Sequence, residues 1–271
     1  MGNQVQYLDT RDGCRLAYIE QGKGLPLVLI HGWTFDKNIW SSQLPVLGQY
    51  FRTITYDRRG YGESSGAIDI SRDLDDLDDL LNHLAIEKTC LLGMSQGGRV
   101  ALRYAITRPE KLIALILQCA PLDGYIPPKS YEHDHIPLNL YSNYAKQGDI
   151  QSVRNAWMDH QLMKIPPDKK SVERHVREIV NRYSCVDLAG DIMDNMAFQI
   201  NIADNLGNIK VPTLIIQGDE ETPMIIDVAN KLNEGIQGSK KILIKGNGHL
   251  INLIEPEQYN QAVINFLKEN N

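Results

Sequence analysis

The sequence predicts an α/β fold built on a mostly parallel sheet. Three observations lead there: short aliphatic runs alternate with longer helical patterns, each run is apolar almost throughout, and a glycine-flanked serine stands between one run and the following helix. The runs expected to be buried strands are Pro26–Ile30, Thr53–Tyr56, Thr89–Leu92, Ala114–Leu117, Thr213–Gln217 and Lys241–Ile244. Their apolar continuity fits strands whose two faces are both covered. Ahead of them, Gln4–Leu8 and Arg15–Glu20, turned at Asp12-Gly13, read as a hairpin supplying antiparallel edge strands. Leu74, Leu77, Leu81 and Leu84 share one helical face, with Ser71 as the expected N-cap.

One stretch breaks the alternation. From Leu122 to about Asp204 there is no strand run, only loop chemistry at Gly124-Tyr125-Ile126-Pro127-Pro128 and helical patterns around Asp149–Met163 and Ser171–Tyr183. An excursion of this length between two strands reads as a helical cap. The expected division is therefore a core of residues 1–121 and 206–271 with a cap of residues 122–205.

Composition sets the outer bounds. With 271 residues, a formal net charge of −6, 42% hydrophobic and 23% charged residues, the chain has the make-up of a globular protein with a large core. Mild acidity argues against a nucleic-acid partner, which needs a basic face. No apolar run approaches the roughly 18 residues of a membrane span, and the start of the chain lacks a signal-peptide pattern, so no membrane association and a cytoplasmic location are expected. Cys14, Cys90, Cys119 and Cys185 are scattered without zinc-site or disulfide spacing.

The chemistry concentrates in Gly93-Met94-Ser95-Gln96-Gly97-Gly98, a G-x-S-x-G sequence between a buried strand and the helical Arg99–Arg108. A sharp strand-to-helix turn needs glycine where the flanking segments close on each other, and it lifts the serine hydroxyl over a helix N-terminus that favours developing negative charge. A nucleophilic serine needs a base, and the base an orienting carboxylate. His249, in Gly246-Asn247-Gly248-His249 after the last strand, is the one histidine beyond the cap. Asp219-Glu220-Glu221 follows the preceding strand and offers three carboxylates.

With His31-Gly32-Trp33, Tyr56-Asp57-Arg58-Arg59-Gly60-Tyr61-Gly62, the serine turn, the Pro212–Pro223 strand and loop, and Gly248-His249 in this order, the chain resembles the α/β-hydrolase fold superfamily, in particular its esterase, cofactor-free haloperoxidase and enol-lactonase branch. The resemblance implies Ser95 as nucleophile, His249 as base, and the second acid of the acid loop as their partner. That is Glu221 here, where the family usually has aspartate, with Asp219 as the alternative. A glutamate is one methylene longer, so its loop should sit slightly back. The resemblance also implies an oxyanion hole of the backbone N–H groups of Trp33 and Gln96, and hydrolysis of a small-molecule carboxylic ester, lactone or thioester without cofactor or metal. Carbon–carbon bond hydrolysis, perhydrolysis and a non-catalytic receptor are the competing readings.

Gly60-Tyr61-Gly62-Glu63-Ser64-Ser65-Gly66 misses a dinucleotide fingerprint by its last glycine and reads as a structural loop, with Asp57 and the arginines holding the turn. Glu132-His133-Asp134-His135 reads as a polar cap loop, and aspartates 73, 75, 76, 78 and 79 as a solvated helix face. Lys164–Arg182 carries a local charge of +3, chiefly a solvated helix, with an acyl carrier protein or an anionic substrate as the functional alternatives. Trp33, Trp157, Met158, Met163, Met193, Met196 and Phe198 are either pocket lining or cap packing.

Overall fold

The computed structural model describes residues 4–190, 201–246 and 248–270, without the side chains of 132 and 133. The described residues form one sheet of eight strands in the order β1-β2-β4-β3-β5-β6-β7-β8. These are β1 (Gln6–Asp9), β2 (Arg15–Gln21), β3 (Pro26–Ile30), β4 (Arg52–Tyr56), β5 (Thr89–Met94), β6 (Leu112–Gln118), β7 (Thr213–Gly218) and β8 (Lys240–Ile244). All six expected core strands are present. Several run further than their apolar cores, because backbone pairing continues through polar ends: Met94 still pairs with Gln118. The hairpin also forms, but only β1 is an edge strand, since β2 pairs antiparallel with β4 on its far side.

Alternation along the central strands divides the interior in two. Leu27 and Leu29 belong to one apolar cluster, Val28 and Ile30 to the other, as the two-residue period of a strand requires. The second cluster takes in Leu77, Leu80 and Leu81 of the helix Asp73–His83, and Val100 and Leu102 of the helix Gln96–Thr107. The first takes in Trp157, Val176 and Ile179. These lie in the helices Ile150–Met158 and Lys170–Val180 of the excursion between β6 and β7. In that excursion the described residues contain helices and turns and no strand.

The helix expected from Leu74 starts at Asp73, and Ser71 does not cap it. Arg72 occupies the cap position, while the Ser71 hydroxyl donates to Asp69 at 2.6 Å. The aspartate row is also not a solvated face. Asp73, Asp76 and Asp78 are buried: Asp73 takes two hydrogen bonds from Arg58 (2.9 and 2.7 Å), Asp76 pairs with Arg59, and Asp78 pairs with Arg108 and Lys111. Arginines after β4 and acids at a helix start thus pin that helix to the sheet. Sequence spacing cannot reveal such a match, because the partners lie in different elements.

Asp57 is held by Lys37 rather than by the arginines. Its carboxylate meets Lys37 Nζ at 2.7 Å with both side chains at most 1% exposed, and accepts the backbone N–H groups of Lys37 (2.6 Å) and Glu63 (2.8 Å). Removing one member of such a pair strands the other charge in a low dielectric. Lys37→Met should lower the unfolding free energy by about 3–5 kcal/mol in urea titration. A double Lys37→Met/Asp57→Asn protein, which removes the stranded charge and keeps an amide oxygen to accept a backbone N–H, should recover part of the loss.

Candidate active site

The register levels the carboxyl ends of the central strands, since Ile30 pairs with Gly93 and Gly93 with Leu117. Three chain segments converge on the turn after β5. A Cβ at Gly97 would collide with the carbonyl oxygens of Ile30 and His31, and one at Gly93 with the backbone of Gly97. Ser95, wedged between them, has φ 51° and ψ −123°, a left-handed φ that L-residues adopt only when their surroundings impose it. Its N–H donates to Gln118 O at 2.8 Å, and its carbonyl accepts from Gly98 and Arg99 as the helix begins.

The loop after β3 lies against this turn. A Cβ at Gly32 would sit 3.2 Å from Ser95 Cβ, so the Gly32–Trp33 peptide runs directly beside the serine. His31 fixes the loop. Its Nε2 accepts from Arg58 N–H at 2.9 Å, so its Nδ1–H donates to Gly32 O at 2.8 Å. Burial, aided by the Arg58 charge, pushes this imidazole down to about 3, so it stays neutral. The Gln96 side chain points neither at solvent nor freely at a ligand: its Oε1 accepts from the buried Arg58 at 2.6 Å. The Trp33 indole lines the cavity and donates to Asp187 at 2.9 Å.

Of the three carboxylates after β7, only one turns inward. Glu221 Oε1 lies 2.7 Å from His249 Nδ1, both side chains at most 4% exposed. Burial alone would raise the Glu221 carboxyl; the His249 ring and its hydrogen bond outweigh it and leave the group below the usual glutamate range. Asp219 is exposed and accepts the Gly246 N–H at 2.6 Å, tying the acid loop to the β8 loop. Glu220 is exposed too, 3.7 Å from Lys164. Ser95 and His249 line one cavity of about 700 Å³, together with Trp33, Gln96, Cys119 and Asp187.

Sequence reading missed three residues here. Gln118, fully buried at the end of β6, accepts Ser95 N–H through its carbonyl and donates its amide to His249 O at 2.9 Å, so one residue registers both loops. It also donates to Asn252 Oδ1 at 3.1 Å, and Asn252 in turn donates to Ile39 O at 3.0 Å. Asp187 joins Trp33 and the Tyr183 hydroxyl at the cavity wall, and burial raises its carboxyl. Cys119 stands beside Glu221. A polar residue closing an otherwise apolar strand was the available signal for Gln118; the other two carry none.

Trp157 packs edge-on against Trp33 and donates to Thr34 at 2.8 Å, and Met158 and Met163 lie in the core cluster, so these three serve packing. Met193, Met196 and Phe198 lie outside the described residues. Asp134 is buried and accepts Met224 N–H at 2.9 Å, while His135 faces the cavity; the side chains of Glu132 and His133 are not described.

A mostly parallel sheet with a strained serine in the turn after β5 and a buried acid–histidine pair is the arrangement found in the α/β-hydrolase fold. The alpha/beta hydrolase fold family is matched over residues 26–162, half of the chain, and the protein belongs to that family. It is similar to a non-heme chloroperoxidase of Kitasatospora aureofaciens, with 26% identity over 96% of this chain and 98% of that protein. A pimeloyl-[acyl-carrier protein] methyl ester esterase of Vibrio campbellii is 27% identical over 88% of this chain and 92% of its own. Among solved structures, a thermophilic esterase from Thermogutta terrifontis superposes with a TM-score of 0.82 at 25% identity, covering 98% of both chains.

Because the folded Glu221 carboxyl lies below its unfolded value, its ionisation stabilises the fold above the usual glutamate range, and that contribution fades as pH falls through the folded value. Glu221→Gln should therefore melt below wild type at pH 7, with the gap in melting temperature closing on acidification. A gap independent of pH would contradict this.

Proposed function

We propose that the protein is a serine hydrolase of small to medium carboxylic esters, lactones and thioesters included. The observation that carries this reading is the 2.7 Å Glu221–His249 bond, with His249 and Ser95 lining one cavity. Ser95 Oγ attacks the acyl carbon as His249 takes its proton, and Glu221 holds the ring and offsets its positive charge. The oxyanion is held by the backbone N–H groups of Gln96, at the helix N-terminus, and of Trp33, in the loop fixed by His31; each such donor is worth about 2.7–4 kcal/mol in the transition state. His249 then protonates the leaving alkoxide and activates the water that frees the acid. Residues 122–205 act as the cap that shapes the acyl pocket, and Asp219 takes no part.

A second reading shares the acyl-enzyme and differs only in the acceptor: hydrogen peroxide in place of water would release a peroxy acid. The likeness to a chloroperoxidase favours including it. The likeness to a carrier-protein esterase raises a carrier-tethered acyl chain. The cap surface gives that reading less support, because Lys164, Lys169, Arg177 and Arg182 are all engaged with acids of this chain. We therefore rank free small-molecule esters first.

Ser95→Ala should lower kcat on p-nitrophenyl acyl esters by at least about 10³-fold and abolish fluorophosphonate labelling, with an unchanged far-UV spectrum. Labelling of the variant at wild-type stoichiometry would refute the nucleophile. Glu221→Gln should cost kcat about 10⁴-fold, as loss of the orienting acid does elsewhere, and Asp219→Asn far less; the reverse order would make Asp219 the acid.

A further inference from the structure

Behind the acid–histidine pair lies a third ligating group that the proposed hydrolysis leaves unused. Cys119 follows Gln118 directly, is 4% exposed, and lines the same cavity as Ser95 and His249. Its Sγ, a Glu221 carboxylate oxygen and a His249 ring nitrogen all lie within 4.8 Å of one another, and all three residues are buried. Burial, reinforced by the Glu221 charge and hydrogen bond, keeps the thiol protonated at neutral pH. It is therefore a poor nucleophile, and its pairing is with the acid.

We propose that Cys119, Glu221 and His249 form a binding site for one thiophilic divalent cation of the Zn²⁺ or Cd²⁺ class, and that its occupancy switches the site off. The donor set selects the metal class: sulfur and imidazole nitrogen suit these ions, whereas Mg²⁺ and Ca²⁺ require oxygen shells. Metal–ligand bonds of about 2.0–2.3 Å in a tetrahedron place ligand atoms about 3.5 Å apart, so small shifts suffice: the Glu221–His249 pair, now 2.7 Å apart, opens to admit the ion, and Cys119 Sγ, already within 4.8 Å of both, completes the set. Charge favours the site as well, since a thiolate and a carboxylate neutralise a 2+ ion and leave no net charge buried. The binding step forms metal–sulfur, metal–oxygen and metal–nitrogen bonds and breaks the S–H bond, whose proton leaves to solvent; the neutral imidazole keeps its one proton on the nitrogen that does not bind. A cavity water completes the shell. Whichever nitrogen binds, the metal consumes the lone pair that would take the Ser95 proton or displaces the Glu221 bond that orients the ring. The cation is an inhibitor, not a participant in hydrolysis.

Binding is independent of the hydrolase reading, whereas the switch rests on it, and the test separates the two. Purified protein is titrated with Cd²⁺ alone, following the thiolate-to-metal charge-transfer absorbance, and ester hydrolysis is measured in parallel. One saturable equivalent is expected for wild type, shifted at least about tenfold weaker or lost in Cys119→Ser. A circular dichroism melt establishes that the variant is folded, and Cys119→Ala serves if it is not. No saturable band in wild type, or an equal band in the variant, overturns the site. Inhibition should share the binding midpoint, reverse with EDTA, and weaken at least about tenfold for the residual activity of the variant; full occupancy with undiminished turnover overturns the switch. Should wild type hydrolyse no ester, the hydrolase reading and the switch both fall, and the site stands or falls on the band.

Discussion

The structure depends on crowding at one turn. Where β5 passes into the next helix, the carbonyls of Ile30 and His31 press on Gly97, Gly97 presses on Gly93, and Gly32 presses on Ser95. No side chain fits at Gly93 or Gly97, one at Gly32 would be tight against Ser95, and Ser95 accepts a left-handed φ because everything around it is fixed. A strained backbone survives only where its neighbours over-determine it. Here the neighbours are the central strands, whose residues such as Leu29, Leu92 and Leu117 are wholly buried.

Rigidity extends outward from that turn through polar contacts. Gln118 ties the Ser95 backbone and the His249 loop to one strand end, and Asn252 carries the tie on to Ile39. On the other side, His31 and Arg58 brace the Trp33 and Gln96 segments, and Arg58 is itself anchored on Asp73. These groups are buried and hydrogen-bonded, so each is costly to disturb and holds its neighbour in one geometry. The Ser95, Trp33 and His249 segments thus inherit their positions from the sheet.

Described residues of the excursion between β6 and β7, among them His135, Leu162 and Asp187, line part of the cavity. The excursion's helices pack into the same apolar cluster as the sheet, and its Asp187 reaches the Trp33 indole. An acid whose carboxyl is raised by burial faces the cavity there, alongside the aromatic ring it accepts from. The pocket therefore combines an apolar wall with a few fixed polar groups, the ordinary make-up of a small-molecule site.

The strands, the serine turn and the histidine loop were legible in the order of residues alone. Each follows from local rules: apolar continuity for a buried strand, glycine where two backbones touch, a histidine in a glycine-bearing loop after the last strand. That order left Glu221 and Asp219 both open, because adjacent acids on one loop differ only in which way the chain turns. Tertiary structure decided that Glu221 faces the ring and Asp219 the Gly246 amide. It also made buried anchors of aspartates 73, 76 and 78 and gave Asp57 to Lys37. In each of these cases the partner lies in another element, brought near only by the packing of the sheet, and no spacing along the chain encodes that distance.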